Sequence, residues 1–224
     1  MQPQAAILGA ALASQIEHGL ATSSRSRQRE IGASEIGFAC GRRLSYRLHG
    51  TAKTNFTDPM KLMTGLGVHT VLAEIYAANP RYLVEHPVTF RGIRGTLDLY
   101  DRGTATVIDW KTTSKSRLAS YAKQGPPMHY VTQINIYAAA LMEQGFLVSR
   151  VALAFLPSDG ALSNLWVWLA EPDKRVALDA ADRVEALRHL EPSNVDAKPD
   201  RYCGWCDYYL PTSTDLSIGC PGTK

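Results

Sequence analysis

Residues 95–114 read GTLDLYDRGTATVIDWKTTS, and the reading of this stretch decides the fold. β-Branched and aromatic residues fill both halves, and Asp101-Arg102-Gly103 between them supplies a hairpin turn. Alternate side chains of a strand share a face, so Val107, Asp109 and Lys111 point one way while Ile108 and Trp110 point the other. Asp109 and Lys111 then stand roughly 6.5–7 Å apart along the strand, near enough to converge on one substrate group. Asp98 lies on the partner strand across the turn. Two carboxylates brought together repel unless a cation sits between them, and hard oxygen ligands select Mg²⁺ or Mn²⁺. A plainer reading stays open at this level: Asp98 and Asp109 as solvent-facing strand residues, with Lys111 an ordinary cross-strand partner.

Working outward, YLVEHPVTF (82–90) is a further strand, and RVALAFLP (150–157) and NLWVWLA (164–170) are two more. The segment 34–50 predicts a helix with Ser34 as its N-cap and Gly50 as its stop. A longer helix is expected from Asp58 to Ala78, with Pro59 at its first position. PMHYVTQINIYAAALMEQG (127–145) has helical spacing and a terminal glycine, after a polar connection containing glycine and proline. A last helix runs from near Pro172 to near Leu190, and the tail from Glu191 is turn-rich. Helix, strands, helix, strands, helix is the order of an α/β domain: a mixed sheet with helices on both faces.

The 224 residues and 45% hydrophobic content fit one domain with a substantial core. A net charge of +3 permits a polyanionic partner without identifying one. No apolar run reaches the roughly 20 residues that cross a bilayer, which argues against a membrane partner. The apolar stretch AAILGAALASQ near the N-terminus lacks a preceding basic residue, so it reads as a surface helix rather than a signal peptide. TSSRSRQRE (22–30) is polar and basic without apolar period and reads as a linker. The expected organisation is therefore an N-terminal helix and basic linker over 1–30 and a single domain over 31–224. A cytoplasmic setting is expected, in which four cysteines suit metal binding better than disulfides.

The Gly-x-x-Asp of GTLD followed by the Asp-x-Lys of DWK resembles the active-site motif of the PD-(D/E)XK nuclease superfamily. Two other segments are similar to its RecB-type branch: GLGVH, which carries His69 on a helix, and QINIY, which supplies Gln133 and Tyr137 one helical turn apart. The resemblance implies a restriction-endonuclease-like fold and hydrolysis of phosphodiester bonds. His69, Asp98, Asp109 and the main-chain carbonyl of Trp110 would hold one or two Mg²⁺ or Mn²⁺ ions, which lower the pKa of water and neutralise charge on the phosphate. Lys111 would orient the water and stabilise the transition state, and Gln133 and Tyr137 would position the scissile strand. The second carboxylate is Asp109 where Glu is commoner in the superfamily.

Cys203 and Cys206 form a Cys-x-x-Cys turn, Cys220 precedes Pro221, and Cys40 lies far upstream. Four thiolates suit tetrahedral Zn²⁺ or an iron–sulfur cluster, and spacing alone does not separate the two. One cysteine before the core and three after it resembles the iron–sulfur RecB-type exonucleases, including the CRISPR-associated family and the AddB nuclease domain. CGRRLSY (40–46) is similar to the first-cysteine segment of that group, with Arg42, Arg43 and Tyr46 at its basic and aromatic positions. The resemblance implies a 4Fe-4S cluster on Cys40, Cys203, Cys206 and Cys220, in place of Zn²⁺, joining the N-terminal and C-terminal segments. The thirteen-residue gap between Cys206 and Cys220 is longer than that group leads one to expect.

Together these readings lead to a metal-dependent DNA exonuclease acting on single-stranded ends. The alternative is a DNA-end-binding accessory subunit of a recombination or CRISPR spacer-integration complex. A third reading is a Zn²⁺-stapled nucleic-acid-binding protein without catalysis. The chain has no Gly-x-x-x-x-Gly-Lys-[Ser/Thr] loop, so ATP-driven unwinding would fall to a helicase partner; recombination or integrase proteins and a second copy of the chain are the other partners considered.

Overall fold

The computed structural model describes residues 3–22, 30–200 and 202–222. Among these residues seven α-helices, α1 (Pro3–Ala21), α2 (Ala33–Ile36), α3 (Gly41–Leu48), α4 (Met60–Ala77), α5 (Lys115–Gln124), α6 (Met128–Glu143) and α7 (Lys174–Arg188), accompany five strands. The strands are β1 (Tyr82–Phe90), β2 (Ile93–Asp101), β3 (Thr106–Thr113), β4 (Arg150–Pro157) and β5 (Trp166–Ala170), and they form one sheet in sequence order. Neighbours are antiparallel except β3 and β4, which run parallel and are joined by the crossover through α5 and α6. The expected mixed sheet with helices on both faces is what forms.

The two faces are unequal. On one, α6 is so deeply set that residues 132–141 are all buried, with α7, α2 and α3 packed outside it. A helix apolar on every side belongs in the middle of a core, and the three consecutive alanines 138–140 let neighbours approach closely. On the other face, among the described residues, α4 lies alone and buries no residue completely; Leu72 and Tyr76 rest on Leu99, Trp110 and Ala154.

Several local expectations are revised. Segment 34–50 is two short helices, because Gly37 passes so close to α6 that a Cβ there would lie 2.5 Å from the His129 Cα. Gly32, not Ser34, caps the first helix; Gly50, at φ +66°, does end the second. Pro59 is the N-cap of α4 rather than its first helical residue. The polar connection before α6 contains α5. The hairpin turn spans 102–105, fixed by the Asp101 carboxylate, which accepts from the Gly103 N–H, the Thr104 hydroxyl and both arms of Arg81. Of the expected linker 22–30, residues 23–29 lie outside the described residues.

The tail is fastened to the N-terminal part of the fold. Tyr46 donates to the Leu216 carbonyl at 2.6 Å, Arg42 to the Val195 carbonyl at 2.9 Å and Ser45 to the Leu190 carbonyl at 2.9 Å. The backbone N–H groups of Thr54 and Asn55 both reach the Asp207 carbonyl.

Candidate active site

The ladder between β2 and β3 extends only from Leu99/Ile108 to Asp101/Thr106. Beyond it β2 stays with β1 and β3 stays with β4, so the sheet forks. Asp98 stands at the crotch, where its Oδ2 accepts the Trp110 N–H at 2.7 Å in place of a strand carbonyl. The strands also turn over here: Leu97 packs in the core shared with α6, whereas Leu99 packs under α4. On β1 the corresponding position is Glu85, between the registered pairs Val84/Leu99 and His86/Leu97. Glu85 has φ +46°, a left-handed backbone that a non-glycine residue adopts at some energetic expense.

The fork draws together residues from four elements. His69 of α4 places Nδ1 3.2 Å from Asp98 Oδ1. His69, Glu85 and Asp98 bring one ligand atom each within 4.8 Å of one another, and no other such trio of His, Cys, Asp or Glu occurs among the described residues. Beside them Asp109 is fully buried, and neither of its oxygens accepts a directed hydrogen bond, although Lys111 Nζ lies 2.7 Å from Oδ2. Burial pushes the Asp109 carboxyl up to about 6; the Lys111 ammonium opposes the shift and the Asp98 charge adds to it. The hydrogen bond to Asp98 raises His69. Asp98 and Asp109 are both under a tenth exposed, which removes the solvent-facing reading of this hairpin. Trp110 contributes its N–H to Asp98 and packs its indole under α4 against Tyr76.

Lys111 is aimed from the far side by α6. Gln133 Oε1 accepts from Lys111 Nζ at 2.9 Å, and Gln133 donates to the Tyr137 hydroxyl at 2.9 Å. Gln133 and Tyr137 are about 95% buried, so Gln133 grips Lys111 with Tyr137 behind it and neither faces solvent. The glycine of the GTLD stretch has its reason here. A Cβ on Gly95 would lie 2.7 Å from the Tyr137 ring, and 3.2 Å from the Cβ of Ala33 behind it. Gly95→Ala is expected to push Tyr137 off Gln133 and to lower stability by about 1–3 kcal/mol, read as a depressed melting temperature.

Glu85 is the residue that sequence reasoning missed. An acidic side chain inside YLVEHPVTF is an available signal, but only the register shows that it faces Asp98. Two buried carboxylates, an exposed third at the fork and a half-buried imidazole form a donor set that suits a hard divalent cation.

The four cysteines gather elsewhere, all half-buried and unpaired, around one cavity of about 480 Å³. A parallel bridge between Tyr209 and Cys220 folds the thirteen-residue gap back, so Cys220 returns to the same wall as Cys203 and Cys206. Arg42 Nη1 lies 3.9 Å from the Cys220 sulfur. Burial pushes the Tyr46 hydroxyl up to about 12, and neighbouring Cys220, Cys206 and Cys40 add to the shift.

Comparison with known proteins bears on this geometry. Among solved structures, the alkaline exonuclease LHK-Exo from Laribacter hongkongensis aligns at 14% identity and TM-score 0.52, over 73% of this chain and 88% of its own. SSO0001 aligns at 15% identity and TM-score 0.54, over 88% and 92%. At such identities the likeness is one of fold. No curated protein sequence matches the chain significantly. No helix among the described residues is long and apolar enough to cross a membrane. The profile of the PD-(D/E)XK nuclease superfamily matches residues 69–209, from the α4 histidine through both halves of the forked hairpin to the cysteine turn, and the chain belongs to that superfamily.

Proposed function

We propose that the chain is a divalent-metal-dependent DNA exonuclease acting at single-stranded ends, with residues 31–224 as its nuclease domain and a structural iron–sulfur cluster at the four cysteines. The observation that carries the reading is the buried Asp109 carboxylate, paired with the Lys111 ammonium at 2.7 Å, in a fork that also holds Asp98, His69 and Glu85. His69, Asp98, Asp109, Glu85 and the Trp110 carbonyl are the residues that would hold Mg²⁺ or Mn²⁺. When bound, such an ion lowers the pKa of water and neutralises charge that builds on the phosphate. Lys111 offers a fixed ammonium to the phosphate and the attacking water, at no reorganisation cost during the reaction. Gln133 and Tyr137 hold that ammonium in place from behind. Water replaces one ester oxygen on phosphorus, and the freed strand oxygen takes up a proton.

The name of the Laribacter neighbour, an exonuclease, supports end-directed cleavage. An accessory subunit that only bound DNA ends would have no use for a buried carboxylate–lysine–amide chain. For the cysteines, one Zn²⁺ would set its thiolates about 3.8 Å apart, from Zn–S bonds of about 2.3 Å. No three of these thiols close to within 4.8 Å, a wider spacing than one Zn²⁺ would set, which favours a multi-iron cluster.

The decisive experiment incubates Mn²⁺ and purified protein with end-labelled single strands blocked at one terminus, the other, or both. Stepwise shortening from an open end is expected. Internal cutting of strands blocked at both ends would overturn the exonuclease assignment.

Metal affinity should also depend on pH in a defined direction. The ligands bind the ion deprotonated, so protons compete with it. With Asp109 raised to about 6 and His69 raised above its ordinary value, Mn²⁺ affinity is full at alkaline pH and falls as pH drops through about 6. The expected loss is about tenfold per pH unit for each proton displaced. Calorimetric titration from pH 8 to pH 5 measures it, and a flat affinity would contradict the ligand assignment.

A further inference from the structure

We propose that Trp205, Tyr202, Arg117 and Lys61 form a platform that grips the unpaired DNA strand a few nucleotides from the scissile bond. The inference rests on the nuclease reading and adds the surface that selects a single strand. Its basis is an open bay of about 320 Å³ lined by Ser116, Arg117, Ser120, Tyr202 and Trp205 together with Tyr121, distinct from the carboxylate fork.

Trp205 is 47% exposed, although an indole is usually covered in a domain of this size. Lys61 Nζ sits 4.0 Å over its ring, and the Arg117 guanidinium carbon lies 5.9 Å from the Tyr202 ring. Among the described residues no ion pair within 4 Å involves Lys61 or Arg117. An exposed indole and a half-buried phenol ring flanked by cations without carboxylate partners and by hydroxyls are what a strand of stacked bases and phosphates requires. A duplex would present phosphates to the cations but no free base face to the indole.

Two routes connect the platform to the reaction. Lys61 and His69 are both on α4, and eight residues of helix separate them by about 12 Å. Along the other wall, β3 ends at Thr113 and α5 begins at Lys115, so Arg117 follows Lys111 by six residues. Tyr130 closes the triangle: Lys111 Nζ lies 4.8 Å from its ring centre, and burial, with a smaller contribution from the Asp109 charge that Arg117 opposes, raises its hydroxyl. At about 3.4 Å per nucleotide or more, a strand crossing 12 Å spans no more than about three or four nucleotides.

Trp205 also sits inside the Cys203–Cys206 turn, whose 3₁₀ geometry (Cys203–Trp205) aims the indole. Whatever the thiolates hold therefore fixes the strand grip as well as the tail.

The test measures binding rather than cleavage, with EDTA present, by fluorescence anisotropy of labelled oligo(dT) and of a blunt duplex of equal length. Trp205→Ala is expected to weaken oligo(dT) binding about five- to a hundredfold and to leave duplex binding unchanged. Trp205→Phe should recover most of the loss. Arg117→Gln, on a different element, should weaken oligo(dT) binding and lower the slope of log affinity against log salt by about 0.7. Wild-type affinity and salt slope in both variants would overturn the platform, as would equal losses for single strand and duplex. Because no metal or hydrolysis enters, an inactive but strand-selective protein would sink the nuclease reading alone.

Discussion

Asp109→Asn and Lys111→Ala are each expected to reduce Mn²⁺-dependent degradation of a labelled single strand at least about a hundredfold, while the metal-free proteins stay folded. The two should part company in stability. The Asp109 carboxyl is raised by burial, so the folded state binds its proton more tightly than the unfolded state does. The penalty of the ionised form is therefore full above about pH 6 and fades as pH falls from there toward the ordinary carboxylate range. Asp109→Asn removes it and should raise the metal-free melting temperature at neutral pH by several degrees. Lys111→Ala leaves the buried carboxylate without its 2.7 Å ammonium and should lower it. Opposite shifts in melting with a shared loss of cleavage would identify a site kept for chemistry at the expense of stability. Undiminished cleavage by either variant would remove that residue from the reaction.

Cys203→Ala is expected to abolish iron binding and brown colour in anaerobically purified protein, and to free the tail. The N-terminal and C-terminal segments already meet through the Tyr46, Arg42 and Ser45 hydrogen bonds. Each such bond contributes only about 1 kcal/mol net, so a metal group joining Cys40 to the tail would be the strongest tie in this region. Limited proteolysis should then cut within 203–222 at least about ten times faster than in the wild type. Iron content unchanged in the variant, or zinc in stoichiometric amount in the wild type, would replace the cluster assignment. Cys220→Ala should match Cys203→Ala, since the Tyr209–Cys220 bridge places both thiols on one cavity.

Segments with strong local signals were read correctly from sequence, and those without were not. β1 and the strands of the 95–114 hairpin are dense in β-branched and aromatic residues, and α6 combines helical spacing with a terminal glycine. By contrast α5, KSRLASYAKQ, buries no residue completely, so it lacks a clear apolar stripe and passed for a polar connection. The break between α2 and α3 depends on the Gly37 backbone meeting His129, a contact ninety residues distant in sequence that no local propensity encodes.

The same division runs through the candidate site. Spacing along single elements determined that Asp109 and Lys111 share a face of one strand, and that Gln133 and Tyr137 share a face of one helix, because side-chain period is a local property of the backbone. Only the tertiary structure decided that the sheet forks at Asp98, that Glu85 of the neighbouring strand and His69 of α4 join it there, and that Cys220 turns back to the other thiols. It also decided that Asp109 is dry enough to hold its proton up to about pH 6. Register between strands and loss of solvent arise from pairings remote in the chain, and a residue's own neighbours carry no record of them.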